Sequence, residues 1–211
     1  MSTSDVQAQP EAGKLNSMPR PKSFDVDDAL DRAVDLFWVN GYAATSMEDL
    51  VNHLGINRGS LYSTFGSKQE LYELALERYL STGQDRFAEM VTDSAVPLRE
   101  AINGLLHSSA KRTDHRGCLL VNTTMERNAI DERCLELTSR GFDELRAILI
   151  AAFESRRHEL AVGLTPDQAA DLVLVATQGL RVVGATESEI GADSTTQTVL
   201  DTVTPKPPVR R

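Results

Sequence analysis

The segment Thr45–Lys68, TSMEDLVNHLGINRGSLYSTFGSK, decides the fold of this chain. In its first half, apolar residues recur at the spacing of one helical face: Met47, Leu50, Val51 and Leu54. Gly55 interrupts this pattern, because glycine readily takes the left-handed conformation in which many helices end. Asn57 is a typical N-cap for a second short helix, and Ile56 and Leu61 flank it at the spacing of a hydrophobic staple. Two short helices joined by a glycine turn predict a helix-turn-helix motif.

Capping sequences bound this segment on both sides. Thr45 and Glu48 have the spacing of a capping box, which predicts that Thr45 caps the first short helix. Ser67 and Glu70 repeat this spacing and predict a longer helix from about residue 68 to residue 91. Because apolar residues extend nearly all round that longer helix, we expect it to join the helix-turn-helix unit to the rest of the chain.

The rest of the sequence also favours helices, and long β-branched alternations are missing. Residues 26–38 keep the helical 3,4-spacing without a miss until Gly41. Further helices are predicted after Pro97, from Asp131 to about His158, from Pro166, and from Ser194 to Val203. We therefore predict an all-α fold in four parts: a disordered arm (1–22), a helix-turn-helix domain (23–67), a helical effector-binding and dimerisation domain (68–203) and a basic tail (204–211).

The distribution of charge favours a nucleic-acid partner in spite of the formal net charge of −9. No Asp or Glu occurs from Leu50 to Gln69, whereas Arg58 and Lys68 lie within that window. Because salt screens charges beyond about 10 Å, the attraction of a phosphate depends on this local surface. The helix-turn-helix segment is therefore predicted to be locally positive on an acidic protein.

Several classes of protein are disfavoured by composition. Two cysteines in 211 residues do not form a disulfide framework, and no metal-ligand spacing joins them to the four histidines. The N-terminus lacks the apolar region of a signal peptide, and runs such as Ala147–Phe153 are too short to span a membrane. No nucleophile–base pair or glycine-rich phosphate loop indicates an enzyme. We expect a cytoplasmic protein without a cofactor or a bound metal.

The run Gly41–Leu76 resembles the DNA-binding unit of the TetR family of bacterial transcriptional regulators. The matches fall in the segments that enter, form and leave the recognition helix, at Gly41, Tyr42, Thr45, Ser46, Gly55, Ile56, Gly59, Leu61, Tyr62, Phe65, Ser67, Lys68 and Leu71. The sequence departs from the family pattern at Thr64 and Gly66. The resemblance implies a nine-helix subunit, a homodimer, a small-molecule effector site in the second domain, and repression that the effector relieves.

Seven residues are predicted to contact double-stranded DNA. Arg58 is suited to two hydrogen bonds with guanine or to a phosphate, and Gly59 allows a close approach of the backbone. Tyr62 is suited to a phosphate, with a packed surface tyrosine as the alternative. Short hydroxyl donors and the residues at two helix starts complete the set, namely Ser60, Ser63, Thr45 and Lys68.

The effector and dimer sites are indicated more weakly. Polar residues in helices that otherwise look buried are candidates for the effector pocket: His107, Asn122, Thr123 and Glu126. Cys118 is either a sensor, with its thiolate stabilised by Arg116 or by a helix N-terminus, or a small buried hydrophobic residue. The predicted dimer face consists of Leu172, Val173, Ala176, Gly179, Leu180 and Val183. Two-fold symmetry would place two recognition helices about one DNA turn apart, ~34–36 Å, and predicts a palindromic operator.

Three other functions remain open at this point. The first two are a regulator that acts as an activator instead of a repressor, and a redox sensor that acts through Cys118. A helical module that binds proteins without binding DNA is the third.

Overall fold

The computed structural model describes residues 24–110, 116–184, 186 and 191–205. Within these ranges the fold is all-α, as predicted, with nine α-helices and one short 3-10 helix at Arg157–Glu159. The α-helices are α1 (Val26–Asn40), α2 (Met47–Leu54), α3 (Arg58–Phe65), α4 (Lys68–Thr92), α5 (Leu98–Ala110), α6 (Leu119–Met125), α7 (Glu132–Ser155), α8 (Pro166–Gly184) and α9 (Ala192–Val203). The predicted arm (1–22) and most of the predicted tail (204–211) lie outside the described residues.

The start of α2 differs from its prediction by one residue. Ser46 is the N-cap, and Asp49 completes a capping box with it. Thr45 does not cap the helix, because its buried hydroxyl donates a hydrogen bond to the Gly41 carbonyl at 2.6 Å. Both threonine and serine suit a cap, so the sequence alone left this register ambiguous.

The turn between α2 and α3 forms as the sequence predicts. Gly55 has a φ of 66°, in the left-handed region, and the Asn57 side chain accepts a hydrogen bond from the Ser60 amide at 2.8 Å. Ile56 and Leu61 are both buried, as a hydrophobic staple requires. Arg32 of α1 donates to the carbonyls of His53 and Leu54, so α1 also holds the C-terminal end of α2.

Helix α4 joins the first three helices to the remainder of the fold. Its N-terminus carries the predicted capping box of Ser67 and Glu70. Tyr72 is completely buried, with its ring 4.8 Å from that of Phe37 in α1 and its hydroxyl 2.8 Å from that of Thr123 in α6. One side chain of α4 therefore contacts both parts of the molecule.

The C-terminal helices pack as a bundle around α4, α5, α7 and α8. Arg156 follows α7, and its buried guanidinium donates to the carbonyls of Val91, Asp93 and Val96. These bonds satisfy carbonyls at the end of α4 and in the loop that follows it. Among the described residues, none of the helices has the length and apolar character that crossing a bilayer requires.

Candidate nucleic-acid interface and ligand cavity

One face of α3 is exposed and free of acidic residues. Leu61 and Phe65 are buried, which fixes the rotation of the helix about its axis. Arg58, Gly59, Tyr62 and Ser63 point outward as a result, and Ser60 is half-buried beside them. The structure thus brings five of the seven predicted DNA-contact residues together on one short helix.

Arg58 and Tyr62 form a pair one helical turn apart. An Arg58 Nη atom lies 3.4 Å from the Tyr62 hydroxyl, and the guanidinium carbon lies 5.7 Å from the centre of the tyrosine ring. Tyr62 remains 44% exposed. Because both groups are at the surface and the hydrogen bond is long, either one is free to exchange its partner for a nucleic acid.

The structure does not need a glycine at position 59. A Cβ atom placed on Gly59 would have one contact at 3.4 Å, with the Asn57 side chain, and Gly59 has no positive φ. The backbone of the helical turn therefore does not require a glycine here. What Gly59 provides is a smooth exposed surface beside Arg58.

The predicted phosphate contacts of the Thr45 and Lys68 side chains require correction. Thr45 is 1% exposed, so its side chain is not available to a phosphate. The Lys68 ammonium donates to the carbonyls of Tyr42 and Thr45, each at 2.9 Å, and lies 4.1 Å from the centre of the Tyr42 ring. Partial burial lowers the pKa of Lys68. Both side chains thus stabilise the turn between α1 and α2.

Glu126, predicted for the effector pocket, instead connects the two parts of the molecule. Its carboxylate accepts hydrogen bonds from the backbone amides of Tyr42, at 2.7 Å, and Ala43, at 3.2 Å. Gly41, with a φ of 80°, lies against the same carboxylate, which a Cβ atom would approach to 2.7 Å. The end of α6 is therefore fastened to the turn that precedes α2.

Three other predicted effector residues also have structural partners. His107 contacts the Asn103 carbonyl at 3.1 Å and Asp193 at 3.4 Å. Asn122 donates to the Arg116 carbonyl at 3.1 Å, and buried Thr123 donates to the Leu119 carbonyl at 2.7 Å. None of the three lines the cavity between α1, α4, α5, α7 and α8.

A cavity of about 390 Å³ lies between α1, α4, α5, α7 and α8. This volume is in the range of pockets that hold small organic ligands. Its aromatic and sulfur-containing wall includes Trp38, Tyr79 and Cys118, and its charged residues are Asp31, Asp35, Arg78, Arg86, Arg116 and Arg181. Only Cys118 among the five predicted effector residues lines it.

Cys118 is buried against Tyr79 and not against a cation. The Tyr79 hydroxyl lies 3.8 Å from the Cys118 sulfur, whereas Arg116 binds Asp35 at 2.6 Å and stacks on Trp38 at 4.2 Å. Arg116 is thus engaged elsewhere and does not stabilise a thiolate. Cys118 does lie at the N-terminus of α6, as its N-cap, but its side chain makes no capping hydrogen bond. The alternative, a small buried side chain, fits its 1% exposure.

The family is established by the helix-turn-helix unit. Residues 29–75 match the sequence model described as bacterial regulatory proteins, tetR family. These residues include the acid-free face of α3 and the glycine turn before it. The chain belongs to the TetR family.

Relatives of known name or structure agree with the TetR assignment. The chain is 33% identical to the HTH-type transcriptional repressor ComR of Escherichia coli K12 over 144 residues, 57% of this chain and 66% of ComR. It is 28% identical to a cysteine-substituted form of the TetR-family regulator CifR, in complex with a 26-bp operator DNA, with a TM-score of 0.62 and coverage of 85% of this chain and 95% of CifR. Reduced NemR from E. coli shares the fold, with 20% identity, a TM-score of 0.76 and coverage of 87% and 98%.

Coverage of the curated TetR relatives is incomplete. The matched segment spans 66%, 58% and 49% of the lengths of ComR, YezE of Bacillus subtilis and BdcR of Escherichia coli. The cavity has to be understood from this chain's own residues.

The outer face of α8 also corrects a prediction. Val173 and Leu180 are buried within their own subunit, so they cannot belong to a dimer interface. Leu172, Val175, Gly179 and Val182 are exposed and follow one another at spacings of three and four residues. The exposed apolar stripe is therefore this set, which we call the α8 stripe, and Val175 and Val182 were missed.

A cluster of potential metal ligands has a structural explanation. Among the described residues, ligand atoms of Glu73, Asp131 and Cys134 lie within 4.8 Å of one another. Asp131 caps α7 by accepting a hydrogen bond from the Cys134 amide at 3.0 Å. Burial raises the pKa of Cys134 to about 12, so the thiol is neutral at physiological pH. Asp131 and Cys134 thus form the start of α7, Glu73 of α4 lies beside them, and we assign no metal to the cluster.

Proposed function

We propose that this TetR-family chain is a homodimeric transcriptional repressor that binds a palindromic operator and leaves it when a small effector binds. The observation that carries this proposal is the exposed, acid-free face of α3. A helix held in place by buried Leu61 and Phe65 presents Arg58, Gly59 and Tyr62 together. That surface suits the major groove of DNA, which admits an α-helix.

Three exposed residues of α3 have distinct chemical roles in this proposal. Arg58 donates to guanine O6 and N7, the commonest specific contact in the major groove. Tyr62 donates its hydroxyl to a phosphate, while Gly59 lets the backbone approach the duplex. Repression in preference to activation is supported by the relative ComR, which is named as a repressor.

The α8 stripe supports the homodimer. Leu172, Val175 and Val182 are apolar and 36%, 71% and 48% exposed. Gly179 lies between them, and a Cβ atom there would meet nothing within 4 Å, so a partner helix can approach closely. Covering this stripe with a second copy buries apolar surface and gives the two-fold symmetry that a palindromic operator requires.

The cavity is placed where a ligand would affect α1. Arg78 of α4 binds Asp31 of α1 with two hydrogen bonds, at 2.7 and 2.9 Å, and Trp38 donates to the Arg116 carbonyl at 3.1 Å. These contacts set the position of α1, and α1 holds α2 through Arg32. An effector releases DNA only if it binds more tightly to an arrangement in which the two α3 helices are out of register with the operator.

DNA binding is tested with the duplex from upstream of the protein's own gene. We expect fluorescence anisotropy to show tight binding that weakens by about a thousandfold between about 50 and 200 mM salt, because several phosphate contacts release counterions. A scrambled duplex of the same length should bind more weakly at every salt concentration. Equal affinity for the two duplexes, or no binding to either, would reject the proposal.

Because the proposed repressor acts on chromosomal DNA, we place the protein in the bacterial cytoplasm.

A further inference from the structure

The cavity has more positive than negative charge. Six charged side chains line it, two acidic and four basic. Asp31 is bound by Arg78 at 2.7 Å, and Asp35 is bound by Arg116 at 2.6 Å. Within the described part of the chain, no carboxylate pairs with the remaining two, Arg86 and Arg181.

Arg181 is the more informative of these two because it is partly buried. Its Nε atom is inaccessible to solvent and has no hydrogen-bond partner among the described residues. Arg86, by contrast, is exposed. The Arg181 side chain as a whole is half-buried, so its guanidinium keeps only part of its contact with solvent, and an anion in the cavity would supply an acceptor that the described residues do not.

The surroundings of Arg181 define the rest of the ligand. Trp38 and Tyr79 lie edge to face, with ring centres 4.9 Å apart, and Leu120, Leu145 and Phe87 continue the apolar wall. Burial raises the pKa of Tyr79, and the nearby charge of Arg181 opposes that rise in part. Arg181 and a neutral tyrosine hydroxyl thus line the same space, part of whose wall is apolar.

We infer that the cavity binds an organic anion, whose acidic group pairs with Arg181 and whose apolar body packs against Trp38 and Tyr79. An uncharged analogue of the same shape leaves Arg181 unpaired and binds more weakly. Arg181 is therefore the residue that determines specificity for anions. That such a ligand is the effector rests on the proposed function, whereas its binding does not.

A matched pair of fluorescent probes tests this inference. 8-Anilino-1-naphthalenesulfonate and N-phenyl-1-naphthylamine share the same rings, and only the first carries an anionic group. We expect the wild type to bind the sulfonate at least about tenfold more tightly, the usual worth of a charge-assisted hydrogen bond. Arg181→Gln should remove that preference without changing the affinity for the neutral probe. Arg181→Lys, which retains the charge, should keep most of the preference for the sulfonate.

Arg157→Gln is the matched control, because Arg157 is 63% exposed and its one ion pair with a described residue is to Glu154. It should bind both probes as the wild type does. Equal affinity of the wild type for the two probes, an unchanged preference in Arg181→Gln, or the absence of binding by either probe would overturn the inference. Titrations with the upstream duplex, without probe, are run in parallel. If the wild type does not bind the duplex in those titrations, the proposed function is contradicted, whereas the preference for the anionic probe is unaffected.

Discussion

Replacing Arg58 with alanine is expected to weaken binding to the upstream duplex about a hundredfold. A bidentate contact between arginine and guanine contributes about 1–3 kcal/mol of discrimination, and a dimer loses two such contacts. The fold should not change, because Arg58 is exposed and, among the described residues, its side chain makes one hydrogen bond, the 3.4 Å contact with Tyr62. We therefore expect the melting temperature to stay within the range typical of surface substitutions. Anisotropy titrations measure the affinity.

Arg157→Ala is the control for this experiment. It removes the same charge at a place distant from α3. Arg157 is next to Arg156, whose guanidinium donates to the carbonyl of Val91, near the C-terminal end of α4. That end is about 37 Å from the N-terminus of α4, given 1.5 Å per residue over 25 residues. Equal losses of affinity in Arg58→Ala and Arg157→Ala would mean that DNA binding depends only on the net charge of the protein. A loss in Arg58→Ala that is the same for the upstream and scrambled duplexes would assign Arg58 to a phosphate.

Val175→Asp is expected to convert the dimer into a monomer and so to abolish tight operator binding. Val175 is 71% exposed at the centre of the α8 stripe, and the two-fold axis would bring two copies of the new carboxylate close together. Like charges that face each other across an interface cost several kcal/mol. A monomer presents one α3 helix and loses the contacts of the second half-site.

Val162→Asp is the matched control, because Val162 is also an exposed valine but lies in the loop before α8. Sedimentation of both variants at micromolar concentration should give a monomer for Val175→Asp and a dimer for Val162→Asp. Circular dichroism should show the same helix content in both. A dimeric Val175→Asp, or a wild type that is monomeric, would show that the α8 stripe is not the interface.

The sequence predicts the helices well where the signal is local. Asn57 and Ser67 cap the helices they were expected to cap, and Gly55 takes its left-handed conformation. The cap of α2 was assigned one residue early, because adjacent Thr45 and Ser46 both suit the position. Only the burial of Thr45, a tertiary property, distinguishes them.

The ligand cavity was much less predictable, because it is formed by helices distant in sequence. Thr123 and Glu126 were read as ligand contacts since polar residues in buried helices are unusual, yet their partners are Tyr72 and the turn after α1. A usable signal was present at Arg181. It is a cation among Leu180, Val182 and Val183, and such a residue needs either solvent or a partner.

Hydroxyl-radical footprinting of the wild-type protein on its own upstream DNA tests the central claim most directly. A two-fold dimer that inserts one α3 helix into each of two successive major grooves should protect two half-sites about one turn apart, ~34–36 Å, with sequences that form an inverted repeat. Protection of a single half-site, of two half-sites in direct repeat, or of none would contradict the account.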